Sequence, residues 1–252
     1  MTETATMTTE TVITTMVEAT TMMTDGRIHM KLRHEQKHQI SRTEDLVLAG
    51  RLSKLFRRDS HAGPDGSYRV TSLYFDTPDD RALREKTEGF SRREKFRLRY
   101  YGTDFSFIRL EKKFKIGGLC GKRSRRLSRE QAQAILDGQM KLPPAEEPLL
   151  AEFYSKVRGQ LLQPKTIVCY DREAFLFEPG NVRVTLDRKI RAGRNPGDFF
   201  RGDFGSVEVL EPFTILEVKY DEILPEIVEM AVQVPGRRAL SCSKYALCRR
   251  FD

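Results

Sequence analysis

Lys95-Phe-Arg-Leu-Arg-Tyr-Tyr101 decides the fold. Lys95, Arg97 and Arg99 share one parity and Phe96, Leu98 and Tyr100 the other, the period of two of a half-buried strand. The pattern repeats at 107–116, where Arg109, Glu111, Lys113 and Lys115 oppose Ile108, Leu110, Phe114 and Ile116, with Lys112 the one intruder. It returns at 182–190, with Arg183, Thr185, Asp187 and Lys189 against Val182, Val184, Leu186 and Ile190, and at 213–220, with Glu217 and Lys219 against Leu216 and Val218. Further strands are predicted at 33–40, 68–76 and 166–177. Between them, a helix over 43–57 opens on Thr43 with Glu44 and Asp45 and carries Leu46, Leu48, Leu52, Leu55 and Phe56. Ser128-Arg-Glu-Gln131 is a capping box whose helix Gly138 closes. Helices are also predicted at 145–163 and 225–234, with a short one after Thr77-Pro78. Many strands, few helices and no glycine-rich strand-to-helix turn predict a mostly antiparallel α+β fold.

One charged and one apolar strand face is ordinary when the charged face meets water. Here the charged faces repeatedly carry two or three bases in alternate positions, and like charges opposed across strands destabilise a sheet unless an anion sits there. The pattern therefore predicts a bound polyanion. Curled into a barrel with charged faces inward and helices outside, these strands would line a basic channel in which a low dielectric strengthens phosphate contacts. Glu217 and Glu111, each two residues before a same-face lysine, are then candidates to hold Mg²⁺ or Mn²⁺.

Composition agrees with a folded, basic chain. The 252 residues include 44 Lys and Arg against 36 Asp and Glu, a net of +8, with 39% hydrophobic residues and 15 Phe. The first 26 residues hold four acids and no base, which leaves 44 basic against 32 acidic residues, a net of +12, on the remainder. Thr- and Met-rich and without apolar period, 1–26 are predicted to be a disordered tail, with Met22, Met23 and Met30 as alternative starts. No run reaches the 18 or so apolar residues of a membrane span, and the N-terminus lacks the order of a signal peptide, which predicts a cytoplasmic chain. Cys120, Cys169, Cys242 and Cys248 have no metal-ligand rhythm and fit reduced thiols. His34-Glu35-Gln36-Lys37-His38 spells the zinc-protease pattern, but that pattern needs a helix and these surroundings lack an apolar stripe. Gly117-Gly118 before Gly121-Lys122 departs from a phosphate loop and reads as a hairpin or mobile loop, leaving Lys122, Arg123, Arg125 and Arg126 as a phosphate patch. No nucleic-acid motif or aromatic stacking platform is evident, so no specific nucleic acid is expected.

Eight motifs in order carry a resemblance. Arg33-x-Glu35-x-Lys37, Ser72-Leu-Tyr-Phe-Asp-Thr77, Lys95-x-Arg97-x-Arg99-Tyr-Tyr-Gly102, Leu110-Glu-Lys-Lys113, Tyr170-Asp-Arg172, Val182-Arg-Val-Thr-x-Asp187, Leu216-Glu-Val-Lys219 and Ser243-Lys-Tyr245 resemble the polyphosphate polymerase domain of the vacuolar transporter chaperone family, over roughly 30–250. That family belongs to the triphosphate tunnel metalloenzymes, so the resemblance implies an antiparallel β-barrel tunnel with flanking helices and a single domain over 27–252. It implies that Lys37, Arg97, Arg99, Lys113, Arg172 and Arg183 bind phosphate, and that Glu217 holds the metal, with Glu111 and Glu35 as further candidates. It places Tyr170, Lys219, Ser243 and Lys244 in the tunnel wall, and Lys122 and Arg125 in a basic loop near one mouth. The implied reaction is transfer of the γ-phosphoryl group of ATP to polyphosphate, assisted by Mn²⁺ or Mg²⁺.

Departures are His38, where the family has an aromatic residue, and Ser241, where eukaryotic relatives have a base. Tunnel hydrolases start Glu-x-Glu-x-Lys; Arg33 in the first position removes an acid and is expected to add a phosphate contact, which favours polymer handling. Hydrolysis of a triphosphate and non-catalytic polyphosphate binding are the competing readings.

Overall fold

The computed structural model describes residues 32–234 and 242–251; the expected tail at 1–26 and the departure at Ser241 lie outside them. The elements, in chain order, are β1 (His34–Ile40), α1 (Arg42–Leu55), β2 (Arg57–Arg58), β3 (Ser67–Asp76), α2 (Arg81–Thr87), β4 (Arg93–Tyr101), β5 (Asp104–Ile116), β6 (Leu119–Leu127), α3 (Arg129–Leu136), α4 (Pro148–Gly159), β7 (Gln163–Phe177), β8 (Val182–Gly193), β9 (Ser206–Glu208), β10 (Thr214–Tyr220), α5 (Glu226–Ala231) and α6 (Lys244–Cys248). One sheet runs β1-β10-β8-β7-β3-β4-β5-β6, with β2 beside β7 and β9 beside β8, and every pairing is antiparallel. The sheet curls until its edges meet at a single rung, where Arg33 and Cys120 exchange two backbone hydrogen bonds of 2.9 Å. Beyond that rung Lys122, Ser124 and Arg126 of β6 face solvent, so the barrel is open along one side.

The alternation at 95–101 holds. Phe96, Leu98 and Tyr100 are at most 2% exposed and pack outward with Leu73, Phe75, Ile108 and Leu110 against Ile135 of α3 and Phe153 of α4. Phe153 meets Phe75 edge to face at 5.1 Å, and truncating such a ring costs about 3–5 kcal/mol. A second outer core sets Leu48 and Leu52 of α1 and Val228 and Ala231 of α5 against Ile40, Val184, Leu186, Leu216 and Val218. Helix α1 starts before the expected Thr43: Ser41 and Glu44 form the capping box, which leaves Leu46 and Leu55 on the solvent side of the buried stripe. The Ser128–Gln131 box caps α3 as expected. Helix α2 begins only at Arg81, after Asp80 in the left-handed region (φ 57°), so Pro78 stays outside its first turn. Lys112, the intruder in the alternation, points outward over the Phe96 ring and pairs with Glu94 at 2.6 Å and with Glu152.

Two expectations need correction. The hairpin reading of the glycines holds, since Gly117 and Gly118, at φ 54° and 91°, turn β5 into strand β6, but Lys122 and Arg125 therefore lie on a strand and not in a basic loop. The inner face is also not charged throughout. Val70, Val168, Ile190 and Ile215 line part of it and are covered by Tyr245 and Cys248 of α6, which packs inside the curl. Residues 34–38 are strand, so His34 and His38 lie about 13 Å apart at roughly 3.3 Å per residue and cannot share an ion as on a helix. Among the described residues no helix is long and apolar enough to cross a membrane.

Candidate active site: a basic chamber within the curled sheet

Register assembles the charge. Across β4, β5 and β6, Lys95, Lys113 and Lys122 stand directly opposite one another, and so do Arg99, Arg109 and Arg126 further along. Between these rungs Glu111 faces Arg97 and Ser124. Glu111 is fully buried and accepts from Arg97 Nε at 2.7 Å and from Lys122 Nζ at 3.2 Å. Burial alone would raise the Glu111 carboxyl, but Arg97, Arg99 and Lys122 hold it well below the usual carboxylate range. Arg97 Nη1 also donates to the Tyr74 hydroxyl at 2.7 Å, while Arg99 donates to Ser72 Oγ at 2.9 Å and to the Tyr170 hydroxyl at 3.3 Å.

Strands β7 and β8 add a second pair. Arg172 grips Asp187 with two hydrogen bonds of 2.7 and 2.8 Å, and Lys244, from the start of α6, reaches the same carboxylate at 2.5 Å. Such two-point guanidinium–carboxylate contacts fix a guanidinium plane. The Tyr170 ring lies under both cations, 5.2 Å from Arg172 and 4.9 Å from Lys244.

On β1 and β10, Glu35 stands opposite Lys219 and Lys37 opposite Glu217. Glu35 takes Lys37 at 2.6 Å, Lys113 at 2.8 Å and Lys219 at 3.5 Å; Glu217 takes Lys219 at 2.5 Å and Lys37 at 3.3 Å. Burial raises both carboxyls, and Glu217 further opposes ionisation of Glu35, yet the lysines hold both well below the usual range. These are ionised, hard oxygen donors of the kind Mg²⁺ and Mn²⁺ accept, on adjacent strands. Among the described residues no cluster of three or more such ligands occurs. The pair fits an ion that takes one or two carboxylates and completes its shell with substrate phosphates.

Lys95 completes the chamber. Its amine is 3.3 Å from Ser243 Oγ and lies over the Tyr74 and Tyr245 rings. Burial together with Lys113, Lys37 and Arg97 outweighs Tyr74 and lowers its pKa to about 8. Burial raises the Tyr74 phenol, but Arg97, Lys95 and Arg99 overcome it and bring it to about 7. The Tyr74 shift expresses uncompensated positive charge, whereas that of Lys95 comes first from burial and then from the neighbouring cations. Two adjoining cavities of about 60 and 110 Å³ share Lys37, Lys95, Lys113 and Ser243 as walls, the second opening past Lys86, Arg93 and Lys115.

Most of the residues singled out in the sequence meet here. Lys37, Arg97, Arg99, Lys113, Tyr170, Arg172, Glu217, Lys219, Ser243 and Lys244 line the smaller cavity, and Glu35 lines the larger. Glu111 and Lys122 join them through the Arg97 and Lys122 contacts above. Arg183 stands at the margin, held by Asp59 and the Tyr68 hydroxyl. Arg125 is a correction: it lies on the outward parity of β6, where its guanidinium pairs with Glu147, and neither it nor a basic loop joins the chamber. Arg33 is another, since its guanidinium is spent on Asp221 at 3.0 Å and the Asn181 carbonyl and so adds no phosphate contact. Tyr74, Lys95 and Asp187 were not singled out as site residues. Lys95 shares the parity of Arg97 and Arg99 and was findable from it; Asp187 matters through its register with Arg172, which no local pattern reveals.

Among solved structures, the chain is similar to a putative adenylate cyclase from Bacillus halodurans (14% identity, 77% of this chain and 83% of that one, TM-score 0.46). It is also similar to the PH1819 protein from Pyrococcus horikoshii OT3 (10%, 87% and 100%, 0.44) and to a mimivirus capping-enzyme triphosphatase (12%, 90% and 100%, 0.39). No curated protein matches it. The VTC domain family model matches residues 32–251, the span that holds every strand and every chamber residue described above. The chain therefore belongs to the VTC domain family.

Proposed function

We propose that the protein is a polyphosphate polymerase that transfers the γ-phosphoryl group of ATP to a growing polyphosphate chain, within one domain over 27–252 and in the cytoplasm. The observation that carries the reading is the pair of like-charged rungs, Lys95–Lys113–Lys122 and Arg99–Arg109–Arg126, directly opposed on three adjacent strands. Opposed like charges cost stability, and a polyanion lying across both rungs removes that cost.

The terminal oxygen of the acceptor chain attacks the γ-phosphorus, the bond from that phosphorus to the β–γ bridging oxygen breaks, and ADP leaves. Such a transfer needs alignment and charge neutralisation more than a protein nucleophile. Arg97 and Arg99, held by Glu111, Tyr74 and Ser72, present fixed guanidinium donors to the γ-phosphoryl oxygens. Arg172 and Lys244, braced on Asp187, hold the neighbouring phosphates, and Lys37, Lys113 and Lys219 exchange carboxylate for phosphate as the chain enters. Glu217 and Glu35 would hold Mg²⁺ or Mn²⁺, which supplies Lewis-acid polarisation of phosphate oxygens.

Purified protein incubated with ATP and Mn²⁺ or Mg²⁺ tests the reading. A lengthening polyphosphate ladder with ADP is expected. Free phosphate without polymer would make the chamber a triphosphatase, and unchanged ATP despite tight polyphosphate binding would make it a binding module.

A further inference from the structure

Beyond the Arg99–Arg109–Arg126 rung the inner face changes from basic to aromatic. Tyr101 follows Arg99 on the same face of β4, one step of about 6.6 Å along the strand. Its ring centroid is 5.9 Å from that of Tyr68 and 6.5 Å from that of Phe107. Arg109 and Arg126 lie over Phe107 at 4.7 and 5.2 Å, so guanidinium planes continue the row. All three rings are only partly buried, and Arg126 is exposed on the open side of the barrel.

The row is continuous with the chamber. The Tyr68 hydroxyl accepts from Arg183, and the charges of Arg99, Arg97 and Lys122 reach the Tyr101 phenol. Past the arginine rung the aromatic rings offer no charge to phosphate, but with the flanking guanidinium planes they suit a flat heterocycle, since every nucleobase offers a π-face to rings and guanidinium planes. With the γ-phosphoryl at Arg97 and Arg99 and the neighbouring phosphates at Arg172, which stands directly opposite Tyr68 on the adjacent strand, whatever the triphosphate carries is directed to the Tyr68–Tyr101 end.

We propose that the Tyr68–Tyr101–Phe107 rim binds the nucleoside end of the substrate, with the base stacked on this row and its triphosphate in the chamber. The proposal rests on the tunnel reading and adds to it a reason for choosing a nucleoside triphosphate over inorganic tripolyphosphate.

Titration calorimetry with ATP and with tripolyphosphate, both in EDTA to prevent turnover, separates the two. Tyr101→Leu is expected to weaken ATP by roughly 5- to 150-fold, the range of base–aromatic stacking, and to leave tripolyphosphate within roughly twofold. Tyr101→Phe keeps the ring and is expected to keep ATP affinity. Phe107→Leu provides the same comparison if Tyr101→Leu does not fold by circular dichroism. Equal shifts for both ligands, or none, in a folded variant overturn the nucleoside site while leaving the tunnel reading intact. Failure of the unmodified protein to bind either ligand overturns both.

Discussion

Glu111 holds Arg97 through one carboxylate oxygen, which lies 2.7 Å from Nε and 2.6 Å from Nη2, and the Tyr74 hydroxyl fixes the remaining nitrogen at 2.7 Å. The guanidinium is thus aimed before any phosphate arrives, and the carboxylate offsets charge that would otherwise be buried alone.

Removing that carboxylate is expected to be costly in the empty protein. Breaking a buried pair from one side costs about 3–5 kcal/mol because the partner charge is left uncompensated. Glu111→Ala should therefore lower unfolding stability by about that amount, and saturating tripolyphosphate, which supplies the missing anion, should restore part of it. Urea unfolding with and without tripolyphosphate measures both. An identical deficit in the two conditions would show that Glu111 is not a counter-ion to the ligand-facing arginines.

The same pairings explain what could be read in advance. Strands β4 and β5 were legible because their outward positions are apolar and their inward ones charged. Strand β6 was not, because its outward Arg123 and Arg125 meet Glu152 and Glu147 at α4, so the alternation is basic on both faces. The apolar part of the inner face escaped notice because its cover, α6, is five residues long and shows no helical period. Of the cations in the chamber, Lys95, Arg97, Arg99, Lys113 and Lys219 followed from parity, while Lys37, Arg172 and Lys244 were implied by the family resemblance alone. Their counter-ions and hydroxyl supports followed only from register and packing, which bring together partners such as Arg172 and Asp187, 15 residues apart, and Lys95 and Ser243, 148 apart.

The lysine cage around Glu35 and Glu217 sets an expectation for metal binding. Three lysines face two carboxylates, so a divalent cation meets a net positive charge until phosphate draws the lysines away. Like charges about 4 Å apart repel by about 4 kcal/mol at an effective dielectric of about 20. Equilibrium dialysis should show little Mn²⁺ retained by the protein alone, and Lys219→Met, which removes one cation, should tighten retention about tenfold or more. Glu217→Ala should abolish that gain. Strong retention of Mn²⁺ alone by the unmodified protein would contradict the cage.

Phosphate binding should be coupled to protons. In the empty chamber burial and neighbouring cations bring Lys95 down to about 8, and the cations, working against burial, bring Tyr74 down to about 7. A bound polyanion reverses that field and raises both, so between pH 8 and pH 9 binding should take up protons at Lys95 and Tyr74; the uptake should shrink below pH 7, where both already carry them. Calorimetry of tripolyphosphate binding in buffers of different ionisation enthalpy measures the number directly. Tyr74→Phe should remove part of it, and proton release in place of uptake would refute the assignment.

The last expectation concerns how the C-terminal helix reaches the chamber. Asp76 is fully buried and accepts from the Tyr245 hydroxyl at 2.6 Å and from the backbone N–H groups of Thr77, Ala82 and Leu83 at 2.9, 2.8 and 3.1 Å. One carboxylate therefore ties α6 to the start of α2, and α6 in turn delivers Ser243 beside Lys95 and Lys244 onto Asp187. Tyr245→Phe keeps the ring stacked on Tyr74 but removes the donor, which is expected to cost about 1–3 kcal/mol for the carboxylate left short of a partner. Because the other three donors remain, the loss should fall on the helix: hydrogen exchange at 243–251 should quicken while the outer cores keep their protection. Tripolyphosphate affinity should drop with it, as Lys244 leaves the chamber wall. Unchanged exchange at 243–251 in Tyr245→Phe would mean that packing of Tyr245 and Cys248 on the inner face, and not Asp76, holds the helix in place.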